Sequence, residues 1–145
     1  VAFFGTNDDP TQIKISVEAF EKFKSLSPDT ILYEVDESGE PISWIANLPT
    51  TKELMKKFLS NEITEKELMD ATKPQDKYSA VYLCAAFTLP EYRRKGFVRK
   101  LMMESINRIP LTEDFELFAW SVSPEGLDVV RNIEKETGRI IHNKL

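Results

Sequence analysis

Cysteine and histidine each occur once in 145 residues, and glycine occurs five times. The single cysteine, Cys84, excludes an intrachain disulfide and a cysteine-based zinc site. With one histidine, His142, beside it, zinc chemistry has no ligand set, and no metal is expected. Five scattered glycines supply neither the G-x-x-x-x-G-K-[ST] phosphate loop nor the G-x-G-x-x-G dinucleotide fingerprint. No apolar run approaches the roughly 20 residues of a spanning helix, so no membrane partner is expected. Positive charge is also in deficit, with 19 Lys and Arg against 24 Asp and Glu, a net charge of −5 and a pI near 5.0. That balance disfavours a general nucleic-acid binder, which needs a basic face against phosphate. No secretory leader pattern opens the sequence, so a cytoplasmic protein is expected.

What is present is a globular composition, 41% hydrophobic and 30% charged, long enough for one domain spanning residues 1–145 with a real core. Asp9-Pro10 reads as an N-cap followed by proline at the first helical position, and a helix is expected over residues 10–26. Residues 30–35 and 42–46 are β-forming runs around the turn cluster Asp36-Glu37-Ser38-Gly39-Glu40-Pro41, a hairpin that Pro49 should end. Thr50-x-x-Glu53 and Thr64-x-x-Glu67 are capping boxes, each opening a short helix in a segment over residues 50–73. Residues 78–89 form an apolar central strand, 97–109 an amphipathic helix stopped by Pro110, and 116–122 another strand. Ser123-Pro124 opens a last helix that Gly138 closes, and residues 139–142 form a short final strand. This order describes an α/β (α+β) domain of two or three layers.

Against the acidic background, Arg93, Arg94, Lys95, Arg99 and Lys100 place five cations in eight residues. They surround Gly96 at the start of a helix that follows a strand. Free N–H groups in a first helical turn, with about half a positive charge from the macrodipole, hold phosphate. Stability alone would favour acidic residues there, so the basic run points to an anion rather than to a solvated edge.

Leu89-Pro90-Glu91-Tyr92-Arg93-Arg94-Lys95-Gly96-Phe97-Val98 resembles the acetyl-CoA-binding signature of the GNAT superfamily of N-acetyltransferases. The signature's core is [Q/R]-x-x-G-x-[G/A]; Arg93 and Gly96 match it, and Val98 departs from the small residue expected. The resemblance implies a mixed central sheet flanked by helices on both faces, with the first strand truncated or atypical. It implies acetyl-CoA as co-substrate, its pyrophosphate held by the main chain of Arg94, Lys95, Gly96, Phe97, Val98 and Arg99, with Arg93 at the head of the motif. Ala86, Phe87 and Thr88 would pair their backbone with the pantetheine arm, one N–H polarising the thioester carbonyl. The implied reaction is direct transfer of an acetyl group to a primary amine, on a small molecule or a peptide, in a cytoplasmic enzyme whose relatives often form homodimers.

The residues that would move protons are less plain. The tyrosine of the family's Tyr-x-x-x-Gly-Phe signature has no counterpart, since Glu134 or Ile133 stands at its distance before Gly138. The family's asparagine before this helix is replaced by Pro124-Glu125-Gly126. Tyr82 and Cys84 share one face of the central strand, and Ser121 lies on the next; these three are the catalytic candidates. The competing reading makes Cys84 a small core residue and the protein a GNAT-fold module that binds acyl-CoA without transfer.

Overall fold

The computed structural model describes residues 16–120 and 123–144. In chain order these form α1 (Val17–Leu26), β1 (Ile31–Val35), β2 (Pro41–Thr50), α2 (Lys52–Leu59), α3 (Glu65–Ala71), β3 (Tyr78–Thr88), a 3-10 turn (Pro90–Tyr92), α4 (Phe97–Arg108), β4 (Leu111–Ala119), α5 (Pro124–Thr137) and β5 (Ile141–Asn143). The five strands make one mixed sheet in the order β1-β2-β3-β4-β5. The β1–β2 and β2–β3 pairs are antiparallel, whereas β3–β4 and β4–β5 are parallel, each reached through a helix.

Helices cover both faces. Val81 and Leu83 of β3 pack with Val98, Leu101 and Met102 of α4 and with Val130 and Ile133 of α5. Ala80 and Tyr82, pointing the other way by strand alternation, pack with Phe23 of α1, Phe58 of α2 and Leu68 of α3. β3 is buried along nearly its whole length, as its near-continuous apolar sequence requires of a central strand.

Several boundaries differ from the sequence expectation. The first helix starts at Val17, because Ser16 is extended and its hydroxyl caps the Ala19 N–H at 3.2 Å; the Asp9-Pro10 signal lies outside the described residues. Pro49 does not end β2, which continues to Thr50. Asn47 N–H points toward β1, reaching Thr30 C=O at 2.8 Å, so by alternation the N–H that Pro49 lacks faces a side where β1 has already ended. Consequently Thr50 finishes the strand, and the N-cap of α2 is Thr51, one residue later than the box suggested. β4 begins at Leu111 rather than near residue 116, its exposed polar start pinned by Tyr78 N–H on Pro110 C=O at 2.9 Å.

The Thr64 box forms as expected. Its hydroxyl accepts from Glu67 N–H at 3.1 Å, and the Glu67 carboxylate accepts from Thr64 N–H at 2.9 Å. Thr64→Ala removes the first bond and orphans the Glu67 N–H, so it should cost about 0.5–2 kcal/mol, read as a lower urea midpoint at unchanged slope.

One irregularity shapes the site. Ala46 pairs with Ala85 and Asn47 with Leu83, leaving Cys84 as an extra residue in β3. The bulge reverses the alternation: Cys84 and Ala85 both face the α1–α3 layer, and Ala86 returns to the α4–α5 layer.

Candidate functional site

Each of α1, α2, α3 and α5 starts on a serine or threonine whose hydroxyl caps a backbone N–H, and each has a glutamate in its first turn. Alone among the described helices, α4 has neither. It starts on Gly96, in the left-handed region at φ 81°, preceded by Arg94 at φ 65°. The first bond of the helix runs from Lys100 N–H to Gly96 C=O at 3.0 Å. The N–H groups of Phe97, Val98 and Arg99 therefore have no acceptor within the helix. A run of left-handed turns feeding uncapped amides is the kind of concavity that holds anions.

The cations around it have distinct duties. Arg93 turns back to donate from Nε to Thr88 C=O at 3.2 Å, tying the loop to the end of β3. Lys95 lies over the Tyr92 ring, 5.6 Å from its centroid, and Tyr92 in turn packs edge-on against Phe97. Arg99 pairs with Glu136 of α5, and Lys100 with Glu34 of β1 at 2.8 Å, which holds the Lys100 ammonium above its usual pKa. Arg94 has no ion pair among the described residues and faces the cleft. Val98 sends its branched side chain into the core at 6% exposure, so the loop accommodates it without giving up the helix start.

The end of β3 supplies a second binding element. Leu89 N–H donates to Ile42 C=O of β2 at 2.9 Å, so by alternation Ala86 and Thr88 turn their N–H and C=O groups away from β2. On that side the ladder with β4 stops at Leu83–Ala119. Thr88 C=O takes the Arg93 bond; the Ala86 peptide groups have no partner among the described residues. Phe87 points to the other face and stacks on Trp44, and the Thr88 hydroxyl is held by Ser43 at 2.8 Å.

A cleft of about 860 Å³ opens past this edge. Thr88 and residues 92–99 form one wall, and Pro124, Glu125, Asp128, Val129 and Asn132 of α5 form the other. It lies beyond the carboxyl ends of the parallel strands β3 and β4, where open α/β sheets bind ligands, and its size is that of a large cofactor site. Comparison with known protein families, with curated proteins and with solved structures finds no match for this chain.

Of the residues singled out in the sequence, Thr88, Arg93, Arg94, Lys95, Gly96, Phe97, Val98 and Arg99 are brought together around the cleft. Tyr82 and Cys84 are not: both are buried on the opposite face of the sheet. The Tyr82 hydroxyl donates to Glu65, itself buried. Burial first, and the Glu65 carboxylate second, push the Tyr82 phenol and the Cys84 thiol well above their usual range. Ser121 lies outside the described residues. Glu134 accepts from Ile141 N–H at 2.8 Å and fastens α5 to β5, while Ile133 is core. The sequence reading missed the α5 wall. Glu125, Asp128, Val129 and Asn132 follow i, i+3, i+4, i+7 spacing, one helix face, and that periodicity was the available signal.

The burial of Cys84 carries an expected result. In the native protein it should resist a thiol reagent such as DTNB at pH 8, because reaction needs an accessible thiolate. In urea it should label at the rate of a free cysteine.

Proposed function

We propose that the cleft binds an acyl-CoA, most simply acetyl-CoA, in a GNAT-type architecture, and that the protein transfers the acyl group to a primary amine. The observation that carries this reading is the start of α4: alone among the described helices it has no side-chain cap and no acidic first turn, and it lies beside five cations and a free strand edge. The amides of Phe97, Val98 and Arg99, with Arg94, would take the pyrophosphate. The free Ala86 edge would take the extended pantetheine as an added strand. The parting of β3 and β4 after Leu83–Ala119 gives the arm a route between them, and the bulge at Cys84 sets which amides face it.

In the transfer, the neutral amine nitrogen bonds to the acyl carbon and the carbon–sulfur bond breaks. The nitrogen gives up a proton and the CoA thiolate takes one, so an ammonium substrate releases one net proton. An alkylamine with a pKa near 10.4 is neutral in about one molecule in 10³ at pH 7, so a proton acceptor accelerates the step. Glu125 and Asp128 are the carboxylates of the cleft, and the role falls to them or to solvent.

The second reading, a binding module without transfer, draws on the burial of Tyr82 and Cys84, whose ionisation is disfavoured and which do not reach the cleft. Release of CoA thiol, followed during incubation with acetyl-CoA and a panel of primary amines, separates the two. Amine-dependent release supports transfer; saturable acetyl-CoA binding with no release under any amine supports the module.

A further inference from the structure

On the opposite face of the sheet lies a second cavity, of about 220 Å³, walled by Phe58 of α2, by Trp120 just past β4, and by Glu62 and Glu65 at the approach to α3. A cation stands in its wall. The Lys144 ammonium sits 4.4 Å from the Trp120 ring centroid and 5.3 Å from that of Phe58, and donates to Asn61 Oδ1 at 2.5 Å. The two rings meet edge to face, 6.1 Å apart at 74°, as two walls of a box. Their faces attract a cation through the ring quadrupole, and more strongly away from water. Among the described residues no carboxylate forms a salt bridge with Lys144. The acids around it are otherwise engaged: Glu65 accepts from Tyr82, Glu62 from the Ser60 hydroxyl at 2.7 Å, and Glu67 from Thr64 N–H. They set a negative local field, while the ammonium's own hydrogen bond goes to the neutral Asn61 amide.

The anchor of Lys144 is its backbone, whose N–H donates to Ala119 C=O at 2.8 Å, so the side chain can leave without disturbing β5. Trp120 follows Ala119, the last β4 residue paired with β3, and Tyr82 lies two residues before the bulge. The box and the cleft thus lie on opposite faces of the sheet at the point where β3 and β4 part.

We infer that this box is a site for a primary alkylammonium group, such as a diamine or a lysine side chain, with Lys144 as its resident occupant. An external amine takes the same place when the Lys144 side chain swings out. Its identity as the acceptor site rests on the acyl-CoA reading above; its identity as an ammonium site rests on the box itself.

The test uses Trp44→Phe as background, which leaves Trp120 as the one tryptophan. n-Butylammonium chloride is titrated against Trp120 emission, with and without Lys144→Ala, at matched ionic strength. The expected result is a saturable response that is about tenfold tighter in the Lys144→Ala protein, because a tethered side chain competes at millimolar effective concentration. 1-Butanol, of similar shape and no charge, should give none. An equal response to 1-butanol, or equal affinity with and without Lys144, overturns the inference. Should Lys144→Ala not fold, the unaltered chain decides by NMR. The Lys144 Hε resonances, shifted by the Trp120 ring current, should move toward random-coil values as n-butylammonium is added, and fixed resonances overturn the proposal. Neither measurement contains CoA. Amine binding in a protein that ignores acetyl-CoA upholds the ammonium site and overturns its acceptor role; acetyl-CoA binding without amine binding overturns the site alone.

Discussion

Replacing Gly96 with valine should lower acetyl-CoA affinity by about 10²-fold or more while leaving most of the fold in place. A Cβ at Gly96 meets nothing closer than the flexible end of Arg99, at 3.6 Å, so crowding is not the obstacle. The backbone is: at φ 81° a β-branched residue is strained by about 1–3 kcal/mol, and the chain relieves it by rotating away from the left-handed region. That rotation re-aims the Phe97 and Val98 amides on which the anion would rest. Hydrogen bonds to a charged group contribute about 1.5–3 kcal/mol each, and losing two exceeds the roughly 2.8 kcal/mol of a 10²-fold change. Gly39→Val is the control. Gly39 has φ 89° in the β1–β2 turn with nothing within 4 Å of a Cβ, so it bears the same backbone strain away from the cleft. It should lose similar stability and keep its affinity, as measured by isothermal titration.

The largest loss of stability is expected from Phe118→Ala. The ring is fully buried, stacked on Tyr82 at 5.0 Å and tilted against Phe58 at 5.9 Å. Truncation leaves a cavity in a layer whose neighbours are themselves rings and cannot collapse into it. The cost should be about 3–5 kcal/mol, a large share of the 5–15 kcal/mol that holds a typical domain together. The urea midpoint should fall accordingly. Because Phe118 faces α1–α3 and the cleft lies across the sheet, the folded fraction should still bind acetyl-CoA with unaltered affinity. A parallel loss of affinity would show that the two layers are coupled.

Local signals in the sequence were read well because their causes are local. The Thr64 box, the Ser123-Pro124 start and Gly138 end of α5, and the β1–β2 turn each depend on neighbours within a few residues. β3 was legible because a strand buried on both faces needs an unbroken apolar run. What escaped depends on partners distant in the chain. Pro49 is tolerated in β2 only because β1 ends before it, and the polar start of β4 holds only because Tyr78 and Lys52 meet it. The bulge at Cys84 is a property of the β2–β3 register, not of the run Leu83-Cys84-Ala85. In the site, the basic loop was visible as charge around one glycine, while the opposing wall appeared only once α5 was packed across from it. The box around Lys144 joins residues from positions 58 to 144 and has no sequence signature at all.

The central claim is that the uncapped start of α4 and the free edge of β3 together hold an acyl-CoA. It is tested most directly by titrating acetyl-CoA into the 15N-labelled protein and following the amide resonances. The account predicts saturable shifts concentrated at Ala86, Thr88 and Gly96 to Arg99, with Gly39 and the α2–α3 amides unmoved. Absence of shifts at millimolar acetyl-CoA, or shifts centred away from the cleft, would contradict it.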